Sequence, residues 1–209
     1  MVDFDLISRQ MDAERGTPFF HIPADAPEHV LRFGPKIIVE SDDDRFTLQE
    51  GGAIFSPCEK YRYVLWRIWD FLEPVWLYGM LNPSRATHED GDNTVDRQVT
   101  RAWRNKAGGM IVVNSGAIRE TDRLKAIRDT DPIGPDNLYW IKLAARQAQE
   151  HIMAFGPDAA KFGGDKLMRR AFAQYPTMAL SQTKDGFPGH PLYIGYDAPL
   201  RPYSFDSIL

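Results

Sequence analysis

The chain has 209 residues, which is one domain's length, and its 43% hydrophobic and 12% aromatic content favours a packed core over a disordered chain. The single cysteine, Cys58, excludes a disulfide framework and a cysteine-ligated cluster within one chain, and it fits a reducing compartment. We expect a cytoplasmic protein with no secretory signal and no membrane span. The net charge of −4 is uneven, since residues 1–60 carry 12 acidic and 6 basic residues, whereas residues 97–128 carry 8 basic and 2 acidic ones. The overall acidity argues against a general polyanion binder, but the basic segment is compatible with a nucleic-acid partner.

The first 60 residues are rich in Pro, Gly and Asp, and we interpret them as an N-terminal extension with a hairpin of short strands at 36–40 and 45–49. Residues 61–209 have the pattern of an α/β domain. Apolar and β-branched segments predict strands at 61–69, 74–81, 110–114, 151–156 and 177–181. Amphipathic segments predict helices at 94–106, 136–149 and 157–175. This alternation predicts a three-layer α/β/α sandwich with a central, mostly parallel sheet, whose site lies at the carboxyl ends of the strands.

Two asparagines stand at such strand ends. In GMLNPS, Asn82 follows an apolar run, and it either caps a helix with Pro83 in the first turn or points into a ligand site together with Gly79, Pro83 and Ser84. In MIVVN, Asn114 ends a second apolar run. Its amide offers a donor and an acceptor, which suits the edge of a nucleobase, although nearby backbone could equally satisfy it.

Two loops carry further candidates. The acidic loop HEDGDNT has Glu89, Asp90 and Asp92 next to Thr94, and it could hold a metal ion or supply a general base. Asp92 is the candidate base, and Thr94 is a candidate substrate contact. The same loop could instead be a solvated segment that caps the next helix, and its spacing does not match a calcium loop. The loop DGFPGHPLY carries His190, a candidate proton donor or hydrogen-bond donor to a developing anion. Leu192 and Tyr193 follow it and act either as a wedge between stacked bases or as core anchors.

Arginines at 97, 101 and 104 share one face of the predicted helix at 94–106. They form either an ordinary solvated face or a set of contacts to the DNA backbone. The chain has no Walker A loop, GxGxxG turn, HExxH or GxSxG motif, so nucleotide hydrolysis, dinucleotide redox chemistry, zinc proteolysis and ordinary serine hydrolysis lack support. We expect no cofactor and no metal ion.

The order of these motifs resembles the uracil-DNA glycosylase superfamily: GMLNPS, then MIVVN, then the AFGPDAA turn, then PGHPLY. The NP pair resembles the mismatch-specific uracil/thymine branch. The pattern YRYxLxRxW, LNPS, DxxT, DPIGP and HPLY, over about residues 60–195, also resembles a bacterial and phage domain family of unknown function. Departures from the glycosylase pattern are Phe155 in place of the usual Trp and Leu192 in place of a Ser, so a modified base is as good a substrate candidate as uracil.

The resemblance implies an enzyme without cofactor that cleaves the bond between a damaged or modified base and its sugar in DNA. It implies that Asn82 orients the attacking water, Asn114 reads the base, and His190 stabilises charge on the departing base; alternatively, Asp92 is the main base and Asn82 is structural. DNA is the expected partner, with no membrane and no obligate protein partner. Two other functions stay open, namely a non-catalytic nucleic-acid or nucleotide-binding module of the same fold and a hydrolase or transferase acting on free nucleosides.

Overall fold

The computed structural model describes residues 18–34, 38–41, 44–83 and 93–208. The strands are β1 Val30–Phe33, β2 Ile38–Ser41, β3 Asp44–Thr47, β4 Glu50–Phe55, β5 Arg62–Ile68, β6 Val75–Met80, β7 Gly109–Asn114, β8 Glu150–Met153, β9 Thr177–Ala179 and β10 Arg201–Tyr203. The α-helices are α1 Asn93–Arg104, α2 Arg123–Arg128, α3 Asn137–Ala145 and α4 Gly164–Phe172, and short 3₁₀ helices span Pro157–Phe162, Pro191–Tyr193 and Phe205–Ser207.

Eight strands form one sheet in the order β1-β4-β5-β7-β6-β8-β9-β10. The neighbours β7-β6, β6-β8 and β8-β9 are parallel, whereas the other four pairs are antiparallel. The predicted α/β class is confirmed, but the prediction of a mostly parallel sheet is wrong. Parallel neighbours need a crossover of about a dozen residues or more, and the short turn between β4 and β5 allows only an antiparallel pair.

Side chains alternate between the two faces of the sheet, and helices cover both. On β6, Val75 and Leu77 belong to the core formed with α3 and α4, around Trp140 and Phe172. Trp76, Tyr78 and Met80 belong to the core formed with α1. Because successive strand residues point to opposite faces, the continuous apolar run of β6 is buried on both sides of the sheet.

The main difference between the predicted and the observed helices concerns the third predicted helix, at 157–175. The segment 157–175 is not one helix, because a 3₁₀ helix precedes α4 and Gly163 separates the two with φ of 78°. That left-handed conformation favours glycine and interrupts a helix. The short helix α2, in the basic segment after β7, was not predicted.

Part of the predicted N-terminal extension contributes to the main sheet, since β4 pairs with β5 and β1 pairs with β4. The predicted hairpin corresponds to β2 and β3, which pair antiparallel in a separate two-stranded sheet. Within the described ranges, no helix has the length and apolar character needed to cross a membrane.

Candidate active site

A cavity of about 210 Å³ opens where β6 and β7 end. It is lined by Arg62, Met80, Leu81, Asn82, Thr94, Val95, Val112, Asn114, Glu120, Thr121, Arg123 and His190. Four of the residues predicted from the sequence therefore meet here: two asparagines from strand ends, one threonine from α1, and the histidine of the late loop. The cavity is smaller than the roughly 300–1,000 Å³ typical of drug-sized ligands, and it suits a group the size of a single base.

The Asn82 side chain has its amide nitrogen fixed by backbone. Nδ2 donates to the carbonyl oxygen of Glu120 at 2.7 Å and to that of Pro83 at 3.1 Å. These two acceptors define which end of the amide is nitrogen. Among the described residues none donates a hydrogen bond to Oδ1, so Asn82 holds the loop at residue 120 and leaves one acceptor at the cavity.

Asn114 presents a side-chain amide with no hydrogen-bond partner among the residues that the structure describes. The residue is only 3% exposed, and its backbone carbonyl accepts a bond of 2.9 Å from Nδ2 of the fully buried Asn137. Buried amides are normally satisfied. An amide held at a cavity wall with both its donors and its acceptor unused within the described chain is therefore suited to a ligand.

His190 caps the 3₁₀ helix Pro191–Tyr193, and its Nδ1 accepts a hydrogen bond from the Leu192 backbone N–H at 3.3 Å. Because Nδ1 is an acceptor, the neutral ring carries its proton on Nε2. The loop thus fixes one tautomer, the one whose Nε2–H can donate. Leu192 is half-buried and does not line the cavity.

Charged residues that the sequence reasoning missed also line the cavity. Arg62 is only 4% exposed, and Glu120 and Arg123 come from the segment that leads into α2. Arg123 also pairs with Asp158 at 2.8 Å. Arg62 is the first residue of β5, which runs antiparallel to β7, so recognition of that pairing would have placed Arg62 near the end of β7 that carries Asn114.

Other predicted site residues lie outside the cavity. Gly79 points to the opposite face of the sheet, where an added Cβ would clash with Met168 and lie 3.2 Å from the Met153 sulfur. Gly79 allows close packing at this place. It does not line the cavity, so its position gives no support to the predicted substrate contact. Pro83 is buried beside the cavity without lining it.

Three predictions fall beyond what the structure describes. Ser84 and Asp92 lie outside the described residues, and the predicted wedge role of Tyr193 concerns a side chain of which nothing is described. In the ranges that are described, no group of three or more His, Cys, Asp or Glu side chains is placed to hold a metal ion.

The arginine face of α1 contacts the chain that follows His190. Arg101 is 1% exposed and donates to the carbonyl oxygens of Gly195 at 2.7 Å, Ile194 at 2.8 Å and Tyr196 at 3.4 Å. The guanidinium groups at positions 97, 101 and 104 lie 4.9, 5.7 and 4.7 Å from the centre of the Tyr196 ring. Burial lowers the pKa of the Arg101 guanidinium. A side chain so buried and so engaged holds this loop, which leaves no surface of Arg101 for a DNA phosphate.

The chain matches, over residues 62–192 and so over more than half of its length, the model of the family described as Protein of unknown function (DUF1643). That span contains every residue that lines the cavity. Comparisons with curated proteins and with solved structures give no match.

Proposed function

The chain belongs to this family of unknown function, and we propose that it is a glycosylase-like hydrolase that cleaves the bond between a damaged or modified base and its sugar in DNA. One observation carries the proposal, namely the cavity at the ends of β6 and β7 that gathers Asn82, Asn114 and His190. Cleavage of such a bond passes through a sugar cation while negative charge builds on the base. Fixed dipoles and hydrogen bonds stabilise both charges without a cofactor.

Base recognition is assigned to Asn114. Its amide presents a donor and an acceptor side by side, the pattern found at the edge of a nucleobase. The walls formed by Met80, Leu81, Val95 and Val112 contact the faces of the base. Apolar side chains can hold an extruded base in this way, at a cost of a few kcal/mol for leaving the stack.

Water activation is assigned to Asn82 and Glu120. The Oδ1 of Asn82, to which no described residue donates, accepts a hydrogen bond from the attacking water and orients it, because Nδ2 of the same amide is already bound to two carbonyls. The water oxygen bonds to the anomeric carbon, the carbon–nitrogen bond breaks, and its electron pair leaves with the base. The proton lost by the water passes to a carboxylate, for which Glu120 is the candidate within the described cavity.

Stabilisation of the departing base is assigned to His190 and Arg62. The Nε2–H of His190 donates to an oxygen of the base as negative charge develops there. The buried guanidinium of Arg62 adds a positive charge in surroundings that are poorly solvated, where its electrostatic effect on the base is large. The base then takes a proton from solvent.

A free nucleoside is the second candidate substrate, favoured by the arginine face of α1. The sequence pattern left phosphate contacts open for Arg97, Arg101 and Arg104 beside an ordinary solvated face. All three instead lie against the Tyr196 ring, and Arg101 is buried. Binding of a nucleoside needs no contacts to a phosphate backbone. Its hydrolysis would not depend on salt, whereas DNA binding weakens steeply as salt rises.

Mass spectrometry of released bases tests the proposal. The substrates are single- and double-stranded DNA with uracil, thymine mismatches, hydroxymethylated or glucosylated pyrimidines and deaminated purines, and the matching free nucleosides. We expect release of one base, reduced about 100-fold or more by Asn82→Ala or His190→Gln. Asn105→Ala is the matched control, since Asn105 is an exposed asparagine of the same domain that does not line the cavity.

The outcomes separate the hypotheses. Base release from DNA that the control retains and the cavity variants lose supports the DNA enzyme. Release from nucleosides alone, at a rate independent of salt, moves the substrate to the nucleoside. Binding of DNA with no release from any substrate contradicts catalysis and leaves a binding module.

A further inference from the structure

A second cavity, of about 290 Å³, lies between α3 and α4 where both helices end. Three basic side chains line it, together with Ala171, Ala173, Gln174 and Tyr175: they are Lys142, Arg146 and Arg170. These residues precede the first residues of β8 and β9, whereas the candidate active site lies at the carboxyl ends of the parallel strands β6 and β7. The basic cavity is therefore at the opposite edge of the sheet.

The geometry points to a site for a phosphate group in this basic cavity, separate from the proposed active site and independent of the proposed function.

The basic side chains come from one face of α3 and one face of α4, on the two sides of the cavity. Lys142 and Arg146 are four residues apart on α3 and its end, and Arg170 and Gln174 are four residues apart on α4 and its end. Side chains with this spacing lie on one face of a helix. The basic pair from α3 therefore faces an arginine and an amide from α4, and all four side chains can donate hydrogen bonds into the space between them.

The positive charge of the cavity is not balanced within the described part of the chain. No acidic residue lines it, and none of the three cations forms an ion pair there. Arg169, the neighbour of Arg170, differs from these three cations because it forms an ion pair with Asp206 at 2.6 Å. A single cation near a helix end complements the helix dipole, but three that converge on one concavity repel each other until an anion enters.

The wall behind the cations is packed against the core. The Tyr175 ring lies 4.6 Å from the ring of the buried His151, centre to centre, and packs edge-on against Phe172 at 6.3 Å. Nε2 of His151 is bonded to the Ala145 carbonyl oxygen at 2.9 Å, which anchors this ring to the end of α3. Arginine forks bind the oxygens of phosphate in pairs, and the contacts of His151 join the ends of the two helices that carry the basic side chains.

Titration with inorganic phosphate, followed by amide chemical shifts, tests the site. We expect saturable shifts confined to residues 142–146 and 170–175, with binding about tenfold weaker in Arg170→Gln and in Arg146→Gln. Arg169→Gln removes the same charge one position away and should bind phosphate as the unchanged protein does. Thermal melting of each variant separates weakened binding from unfolding.

A short single-stranded oligonucleotide identifies the source of the phosphate. If the oligonucleotide displaces inorganic phosphate and also binds more weakly to Arg170→Gln, the site holds a nucleic-acid phosphate. If the oligonucleotide leaves inorganic phosphate in place, the site holds a free phosphate or a small phosphate ester. Shifts that match those caused by sodium chloride at equal ionic strength would overturn the assignment. Equal losses in Arg169→Gln and Arg170→Gln would do the same.

Discussion

Replacement of Arg101 by lysine tests the contact between α1 and the loop that follows His190. The substitution keeps the charge but removes the planar fork that donates to three successive carbonyls, those of Ile194, Gly195 and Tyr196. A lysine ammonium is a compact point charge on a flexible stem. From the same position on α1 it can reach one of these carbonyls well, so Arg101→Lys should loosen the loop without removing the cation.

The expected cost follows from the hydrogen bonds that a lysine cannot make. A hydrogen bond from a charged donor contributes about 1.5–3 kcal/mol net, and the substitution removes one of the two short bonds of 2.7 and 2.8 Å and the longer one of 3.4 Å. Weaker stacking on the Tyr196 ring adds about 0.5–1 kcal/mol. The attachment of the loop to α1 should therefore weaken by about 2–4 kcal/mol, whereas Arg104→Lys, at an exposed residue of the same face, should cost less than about 1 kcal/mol.

Amide hydrogen exchange measures this directly. The Ile194 and Ala198 backbone N–H groups donate to the Pro191 and Gly195 carbonyl oxygens inside the loop, and their protection should fall about 30- to 900-fold in Arg101→Lys, the equivalent of about 2–4 kcal/mol. Urea unfolding of the same variant shows whether the loss is local or global. If Arg101→Lys changes protection no more than Arg104→Lys does, the buried fork does not hold the loop and this reasoning fails.

Three further changes have defined outcomes. Asn137→Ala removes a fully buried amide that donates to the last carbonyl of β7, and urea unfolding should show a loss of about 1–3 kcal/mol. Gly79→Ala should cost about 1–3 kcal/mol in the same assay, because its Cβ displaces Met168, while base release should be unchanged since Gly79 faces away from the cavity. Burial raises the pKa of Tyr63 and of Tyr203 to about 12 from 10.0. The folded state then retains protons that the unfolded state releases, so this stability is complete below pH 10 and is lost as the pH rises towards 12. Urea unfolding across that range should show the decline, and Tyr63→Phe should remove part of it and leave the part due to Tyr203.

The apolar runs in the sequence predicted the strands that matter for the site. Residues 74–81 and 110–114 correspond to β6 and β7, which are buried on both faces because helices cover both. The polar residues that end these runs, Asn82 and Asn114, meet at one cavity since the two strands are parallel neighbours. Hydrophobic periodicity and composition are local properties of the sequence, so this part of the arrangement could be predicted from the sequence.

The direction of each strand and its neighbours in the sheet were harder to predict from the sequence. A run such as YRYVLWRIW predicts a strand but not its partner, and β5 lies antiparallel to β7 although β6 comes between them in the chain. The connection from β5 to β6 is too short for a crossover helix, and this was the signal for an antiparallel arrangement. Missing it meant missing Arg62, which reaches the cavity only because β5 starts where β7 ends.

The arginine face of α1 shows a different limit. Spacing alone placed Arg97, Arg101 and Arg104 on one face, and the structure agrees, because all three guanidinium groups lie against one tyrosine ring. What covers that face is a segment more than 90 residues away in the chain. Helical periodicity carries no information about so distant a partner, which explains why a buried contact had the same sequence pattern as a solvated or DNA-binding face.

The position of α1 links the order of the loop to the proposed chemistry. Its first turn places Thr94 and Val95 at the cavity, and Arg101, two turns later, holds the chain that follows His190. Tyr196 and His190 belong to one short loop, so a displaced loop moves the histidine away from the base, while Asn114 stays at the end of β7 and Asn82 stays in the segment just after β6. Arg101→Lys should therefore lower the rate of base release more than it weakens substrate binding, and by a factor that follows the loss of protection at Ile194. A variant with an open loop and an unchanged rate would remove His190 from the mechanism and leave catalysis to Asn82, Glu120 and Arg62.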